Sequence, residues 1–351
     1  FQFLFSLIKC IPILRIQFYT LIIQGLIKID TEISLEKLEK NEKFLANFKE
    51  KGVSIDVVYK KFSNIDKSSF AWLDISDKYD DLMALCFDHF IQIFQAQDKH
   101  DSFYCDLNDA FSKVLACRGL IAVHFIWFYF CGNSKIFFET TLNDIWQKFT
   151  NLNEPIHIRH AAATHLGGLI SHISNTGSDT VRKYAGLMSR WIHEYIRDKE
   201  ENVIPQTNGN LLSFKPHHLF YVICQSLFYI LISENCLLKV ENNSANIFTW
   251  VQFLSSLELD NIFLSRLNPL YYCSSIIVEK IAKIGKDHEI FFAYNIITRN
   301  KRILNMVQTL QDSNKNIAAV NLLDFESACN FPYSPYILPS TKNLITPIYR
   351  Y

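Results

Sequence analysis

The chain has 351 residues, of which 49% are hydrophobic, and its 35 Lys and Arg residues balance 35 Asp and Glu residues. This composition excludes a disordered chain and allows a large buried core. A net charge of zero provides no overall field for nucleic acid or an acidic membrane, so any DNA contact is at most local. Nine cysteines without a CxxC pair predict reduced core thiols of an intracellular protein rather than a disulfide or zinc framework.

The first segment, residues 1–29, is apolar enough to suggest a membrane span or a signal peptide. Lys9, Pro12 and Arg15 divide it into pieces too short to cross a bilayer, and no small-residue cleavage site follows. We therefore predict no membrane segment, but two buried helices that meet at Pro12 and form a partial helical repeat. Because the sequence begins with Phe1, we expect a fragment that lacks the preceding repeat.

Residues 30–76 form a polar segment that is rich in lysine and glutamate and has few strong core positions. This composition predicts an insertion or a long loop, and such segments are usually functional or mobile. A tolerated surface loop is an equally good interpretation. Its serines are accessible candidates for phosphorylation, namely Ser34, Ser54, Ser63, Ser68 and Ser69.

From residue 77 to residue 310, apolar residues recur at helical spacing, and no alternating strand pattern is long enough to build a sheet. The predicted helices are 77–96, 107–131, 135–152, 153–173, 179–198, 214–233, 245–257, 260–267, 270–284, 288–298 and 301–310. Paired helices with short connections and no fixed sequence period are typical of HEAT or armadillo repeats. We therefore predict an all-α, HEAT-repeat-like helical solenoid.

The stretch from residue 153 to residue 173 is predicted to be the central helix of this stack. Asn153 is suited to the N-cap position, and Pro155 fits a first helical turn, where its missing N–H costs nothing. Gly167 and Gly168 keep one side of the helix slim, so a neighbouring backbone can approach closely.

The tail, residues 311–351, contains four prolines after Leu322 together with several phenylalanines and tyrosines. Proline removes a backbone donor and interrupts helices, which predicts a non-helical tail. We expect it to run extended across the helices and to be held by its aromatic side chains.

Signals of enzyme chemistry are weak. The acidic residues within 80–88 resemble the start of a magnesium site of isoprenoid synthases, but the second acidic cluster is missing, so an exposed helix start explains them better. His157, His160 and His165 do not share one helical face, which argues against a shared zinc ion. There is no phosphate-binding glycine loop and no nucleophile motif. We predict that the chain is not an enzyme and has no cofactor.

Two basic clusters remain as candidate partner-binding sites. Arg182, Lys183 and Arg190 lie on one predicted helix, and Arg299 and Arg302 lie at a predicted helix junction with the sequence TRNKR. Either cluster could contact phosphates or an acidic protein surface. A solvated helix face is the alternative interpretation of both.

Five strings along the chain resemble the RNA polymerase I-specific transcription initiation factor family, also called transcription initiation factor IA. The strings, in order, are IRHAAATHLGGLISH, CQSLFYIL, LSRLNPL, FAYNIITRNKR and LITPIYRY. The similarity is clearest from residue 125 to residue 351. Arg299 and Arg302 match the basic junction of this family, whereas the part of the central helix that is basic in relatives retains only His172.

The resemblance implies a HEAT-repeat protein of the nucleus and nucleolus without a catalytic site. Such a factor binds RNA polymerase I through the stalk and dock region of the enzyme. It bridges polymerase I to a promoter-bound core or selectivity factor at ribosomal RNA genes, and phosphorylation of serines in a loop after the early repeats controls it. Residues 30–76 occupy the place of that loop. Exposed apolar ridges of a solenoid also make a homodimer an option.

A generic helical-repeat adaptor or nuclear transport receptor is the alternative function, with a helical enzyme as a more distant one. A transport receptor is expected to present a strongly acidic inner face, which this neutral chain does not indicate. An enzyme is expected to hold a deep polar pocket with converging titratable groups.

Overall fold

The structure is a computed structural model that describes residues 2–33, 71–95, 100–117, 120–200, 215–241, 244–313, 332–333 and 335–350. Every regular element within these ranges is helical, which confirms the predicted all-α class. The chain divides into two compact units. Unit 1 combines Phe1–Asp144 with Pro332–Tyr351, and unit 2 comprises Ile145–Phe331.

The helices are numbered in chain order. They are α1 (Gln2–Cys10), α2 (Arg15–Glu32), α3 (Ala71–Gln95), α4 (His100–Val114), α5 (His124–Asn133), α6 (Lys135–Thr150), α7 (Ile156–His172), α8 (Ser178–Lys199), α9 (His218–Glu241), α10 (Ser244–Ser256), α11 (Leu259–Leu264), α12 (Pro269–Tyr272), α13 (Ser275–Asp287), α14 (Tyr294–Ser313) and α15 (Lys342–Ile345). Short 3₁₀ turns cover Pro12–Leu14, Lys215–His217 and Thr346–Ile348.

In unit 1, α2 packs most extensively against α4 and also contacts α1 and α3. Aromatic side chains fill the space between these helices: the ring of Phe90 lies 5.3 Å from Tyr19 and 6.1 Å from Phe103. The ring of Phe103 in turn lies 5.3 Å from Phe130 on α5. The predicted pair of helices meeting at Pro12 is confirmed by α1, α2 and the 3₁₀ turn between them.

The predicted helix 107–131 is wrong, because the chain leaves the helical path between α4 and α5. The carboxylate of Asp30 accepts the backbone N–H groups of Ile121, Ala122 and Val123, each at 3.0 Å. These groups belong to the three residues that lead into α5, so Asp30 on α2 fixes the turn from which that helix begins. A side chain 91 residues away in sequence therefore defines the start of α5.

In unit 2, α9 contacts more helices than its neighbours do. It packs most extensively on α7 and also contacts α8, α10, α12 and α13. Among the described residues, this is the single helix that is long and apolar enough to cross a membrane, over His218–Leu238, and most of this stretch is buried inside the protein. Such burial is typical of a core helix. The predicted central helix α7 is enclosed as expected, although α9 is the centre of the unit.

The N-terminus of α7 differs from the prediction. The helix begins at Ile156, and Pro155 occupies the N-cap position, whereas Asn153 lies in the preceding turn. The backbone N–H of Asn153 donates to the side-chain oxygen of Asn151 at 3.0 Å. A residue before proline is sterically disfavoured in the helical conformation, so Glu154 cannot continue a helix into Pro155.

The predicted separate helices 288–298 and 301–310 are one helix, α14. TRNKR lies inside this helix rather than at a junction. Asn300 is buried, and its side-chain amide pairs with that of Asn268, with one hydrogen bond in each direction at 2.9 and 3.0 Å. The asparagine therefore holds α14 to the turn before α12 instead of ending the helix. Asn268 and Pro269 separate α11 from α12 as predicted.

The tail contains more helix than predicted. Residues 335–338 have no regular structure, but α15 and the 3₁₀ turn Thr346–Ile348 follow. Pro347 occupies an early position of that turn, where its missing N–H has no partner to lose. The first residues of the predicted tail, 311–313, belong to α14, and residues 314–331 lie outside the described residues.

Candidate partner-binding surfaces

Arg299 and Arg302 lie on the exposed side of α14. Lys301, between them, pairs with Glu279 of α13, with the Nζ atom 2.7 Å from Oε1. This exposed ion pair joins the outer sides of α13 and α14. The two arginines are three residues apart and therefore project from neighbouring positions on the helix surface.

The adjoining helix α13 adds three exposed lysines, Lys280, Lys283 and Lys286, which the sequence analysis missed. They recur at intervals of three residues, and Ile277, Ile281 and Ile284 of the same helix are buried. This periodicity was a usable signal, because apolar residues on one side of a helix leave the lysines on the other. The two helices together present more positive charge than TRNKR alone.

The first basic cluster is divided by the structure. Arg182 is half-buried and its Nη2 atom donates to the hydroxyl oxygen of Thr249 on α10 at 3.3 Å. Lys183 and Arg190 are exposed instead. They are seven residues apart, about two helical turns, and so lie on one side of α8. Arg197 is exposed seven residues further on and extends the same row.

His172 is the last residue of α7 and is half-buried. Its Nε2 atom lies 2.8 Å from the hydroxyl oxygen of Tyr229 on α9. Burial raises the pKa of Tyr229 to about 12, so the hydroxyl remains protonated near neutral pH and can donate to the imidazole. His172 is therefore also a link between the two helices that pack most extensively in unit 2.

The histidines of α7 occupy different environments. His157 is exposed, whereas His160 and His165 are buried. The ring of His160 stacks on that of His218 of α9, with centroids 4.7 Å apart. In the part of the chain that the structure describes, no group of three or more His, Cys, Asp or Glu side chains is arranged to hold a metal ion.

The predicted phosphorylation candidates lie outside the described residues. The structure does not describe residues 34–70, which include Ser34, Ser54, Ser63, Ser68 and Ser69.

The aromatic side chains of the tail pack on α5, as expected. Tyr333 and Tyr349 lie 5.1 and 5.7 Å from the ring of Phe128, and Tyr336 lies 4.7 Å from the ring of Phe125. The Tyr349 hydroxyl donates to the carbonyl oxygen of Tyr333 at 2.7 Å, which closes the tail into a loop.

Two polar contacts complete this tail site. The backbone N–H of Tyr333 donates to Nε2 of the buried His124 at 2.9 Å. The turn at Ser340 binds the carboxylate of Asp80 on α3. The interpretation of Asp80 as part of an exposed helix start is therefore wrong, because Asp80 is 9% exposed and holds the tail.

Over the residues that the structure describes, packed helices with outer rows of charged side chains define a protein of the helical-repeat class. Comparison with known proteins identifies the particular family. The family model described as RNA polymerase I specific transcription initiation factor RRN3 matches residues 1–351. The chain belongs to this family, which comprises transcription initiation factors and not enzymes.

Relatives named RNA polymerase I-specific transcription initiation factor RRN3 match in several organisms. The mouse (Mus musculus) protein is 26% identical over 97% of this chain and 52% of its own length. The Schizosaccharomyces pombe protein is 26% identical over 68% of this chain and 36% of its own length. The chain thus spans about half the length of the mouse relative, and less of the yeast one.

A solved structure has the same fold. The crystal structure of RNA polymerase I transcription initiation factor Rrn3 is matched with a TM-score of 0.73 at 18% identity, over 99% of this chain and 64% of that chain. This likeness confirms the predicted helical-repeat class, since the neighbour has a helical repeat-like fold.

Proposed function

We propose that the chain acts in the initiation of transcription by RNA polymerase I, in the nucleus and nucleolus, as a non-catalytic factor that binds the polymerase. The observation that carries this proposal is the family match over all 351 residues. Exposed basic residues on α8, α13 and α14 support it, because they can meet acidic protein surfaces. The test is a pull-down from nuclear extract with the tagged chain. Retention of polymerase I subunits is expected, and their absence would favour a generic adaptor.

The finer proposal is that the chain bridges polymerase I, at its stalk and dock region, to a promoter-bound core or selectivity factor. Two separate basic rows support two contacts: Arg299 and Arg302 on α14, and Lys183 and Arg190 on α8. His172 at the end of α7 is a further candidate. Charge reversal in one row should weaken one partner and spare the other. Loss of both partners from either variant would contradict a bridge with two separate contacts.

Charge reversal of Arg299 and Arg302 to glutamate should weaken binding to one partner by about tenfold, because attraction becomes repulsion at an electrostatic contact. Titration of purified polymerase I against the variant, repeated with the core factor, measures the effect and its dependence on salt. Lys28→Glu with Lys113→Glu is a matched control, because both lysines are exposed and lie on other helices. Equal affinities of control and variant for both partners would rule out this surface.

Phosphorylation is proposed to regulate the polymerase contact through residues 30–76. Glutamate at Ser68 and Ser69 together should cost about 1–3 kcal/mol of binding free energy, or about 5- to 150-fold in affinity, because the added charges would be repelled by an acidic partner surface. Co-purification of polymerase I with this variant measures the effect, and the double alanine variant is the control. Unchanged co-purification would place the regulated patch elsewhere.

A homodimer is a further proposal, supported by apolar side chains that remain exposed in both units, such as Phe3 (73%) and Phe292 (67%). Sedimentation velocity across a concentration series tests it. A single monomeric species at every concentration would reject it.

A further inference from the structure

The tail turn at Ser340 is fastened to α3 through one carboxylate. The Ser340 backbone N–H lies 3.3 and 3.1 Å from the two carboxylate oxygens of Asp80, and the Ser340 hydroxyl donates to Oδ2 at 2.7 Å. Asp80 is 9% exposed, whereas Ser340 is exposed. Ser340 therefore lies at the exposed edge of a part-buried contact whose other member is held inside the unit.

The neighbouring hydroxyls of the tail are placed differently. Thr341 is 2% exposed, and its hydroxyl oxygen lies 2.6 Å from that of Tyr336. Thr346 is exposed, but its hydroxyl donates within its own turn, to the carbonyl oxygen of Lys342 at 2.9 Å. In the described part of the tail, Ser340 is thus the exposed hydroxyl that also holds the tail to another helix.

The side of α3 that receives Ser340 is acidic. Burial raises the pKa of the Asp80 carboxyl, and the negative charges of Asp81 and Asp77 raise it further. Lys78 on α3 and Lys342 on the tail are the cations in the neighbouring turns. A second anion brought to Ser340 would face a carboxylate in direct contact and two more on the same helix.

We propose that Ser340 is a phosphorylation site and that its modification detaches the tail turn from α3. A protein kinase would transfer the γ-phosphoryl group of ATP to Oγ of Ser340. The Oγ–P bond forms, the bond between the γ-phosphorus and the bridging oxygen breaks, ADP leaves, and the hydroxyl proton passes to a base of the kinase. The hydroxyl donor is then replaced by acceptor oxygens with a charge of about −1.5 to −2 at pH 7.

Detachment of this turn would leave the tail held by its aromatic packing on α5 and by the contact of Tyr333 with His124. Ile348, which packs directly on Gly132 of α5, lies beside Tyr349, whose hydroxyl donates to the carbonyl oxygen of Tyr333. Phosphorylation would therefore loosen the turn at Ser340 and leave the aromatic part of the tail on α5. This inference does not depend on the identity of the partner proposed above, because it concerns a contact within unit 1.

The experiment compares the full chain with and without phosphoserine incorporated at position 340. Amide hydrogen exchange of residues 339–345 should become about tenfold faster in the phosphorylated chain, because those amides report opening of the turn at Ser340. Asn343→Glu is the matched control, since Asn343 is exposed on α15, three residues after Ser340, and glutamate there adds one negative charge to the tail. Exchange no faster than in this control would overturn the proposal.

A second variant separates repulsion from a general loss of stability. In the phosphorylated chain, Asp80→Asn should slow hydrogen exchange of the tail, because the asparagine amide can donate to the phosphate. The exchange rate should return toward that of the Asp80→Asn chain without phosphate. Exchange that stays fast would contradict repulsion as the cause. Mass spectrometry of the protein, isolated with phosphatase inhibitors from cells that express it, should find phosphate on Ser340, and its consistent absence would reject the site.

Discussion

Replacing Asp30 with alanine should lower the free energy of unfolding by about 3–5 kcal/mol. The carboxylate is fully buried and accepts three backbone N–H groups at the start of α5. Alanine would leave these donors inside the protein without an acceptor, and the positive end of α5 would lose the negative charge that it faces. Because α5 also carries the tail, the tail should loosen together with the start of the helix.

Urea denaturation followed by circular dichroism measures this cost. Glu32→Ala is the matched control, because Glu32 is exposed near the end of the same helix and should change the free energy of unfolding by less than about 0.5 kcal/mol. Asp30→Asn keeps one acceptor oxygen and should be less damaging than alanine. An alanine variant as stable as the Glu32→Ala control would show that other groups hold the start of α5.

The pH dependence of stability should report on the same carboxyl group. Burial raises the pKa of Asp30 in the folded chain above its ordinary value, although its hydrogen bonds to Val123, Ala122 and Ile121 oppose the shift. As the pH rises, the unfolded chain therefore loses the Asp30 proton before the folded chain does. The contribution of this proton to the free energy of unfolding is largest below the unfolded pKa of about 3.9 and declines as the pH rises through the folded pKa. The stability of the wild type relative to Asp30→Asn should fall as the pH rises from about 4, and a flat difference would contradict the shift.

Local sequence signals predicted most of the helices. The helix predicted at 179–198 is observed as α8, and Asn268 with Pro269 separates two helices as expected. These features depend on residues close in sequence, such as apolar spacing and proline at a helix start. Local signals also led to errors: at the start of α7, Pro155 restricts Glu154 more strongly than Asn153 favours the N-cap position, and the predicted break near TRNKR falls inside α14.

The larger errors share a different cause, which is a side chain far away in sequence. Asp30 interrupts the predicted helix 107–131 from a position 91 residues away from Ile121. Asp80 binds Ser340, which is 260 residues away. A single sequence shows the residue type at each position but does not pair one such residue with another. These two contacts therefore became visible only when the fold placed the partners together.

The candidate surfaces could be predicted only in part, because they too depend on contacts between residues that are far apart in sequence. The periodicity of the lysines on α13 was present in the sequence, yet the closeness of α13 to TRNKR became visible only through the ion pair of Lys301 with Glu279. In the other cluster, Arg182 differs from Lys183 because Thr249 of α10 lies within reach of Arg182. Charge alone indicated both regions, and the packing of each helix decides which cations can reach a partner.

Replacing Gly285 with alanine should destabilise the chain by about 3 kcal/mol or more, through overpacking. Gly285 is buried in the last turn of α13, and an added Cβ would overlap the ring of Phe291 and lie 2.6 Å from its carbonyl oxygen. The ring cannot move aside easily, because Phe291 is 2% exposed and packs edge-on against Phe263 at 5.1 Å. The backbone is fixed as well, since the N–H of Ile290 donates to the carbonyl oxygen of Gly285 at 3.0 Å.

Gly186→Ala is the matched control and should have the opposite sign. Gly186 lies inside α8, and an added Cβ there would meet nothing within 4 Å. Alanine is favoured over glycine in a helix interior by about 1 kcal/mol, so this variant should be slightly more stable than the wild type. Chemical denaturation of both variants measures the difference, which should be about 4 kcal/mol as the sum of the two effects. Equal stabilities of the two variants would show that the last turn of α13 and Phe291 can move apart at little cost. The close packing at Gly285 would then not be needed to fix the connection from α13 to α14.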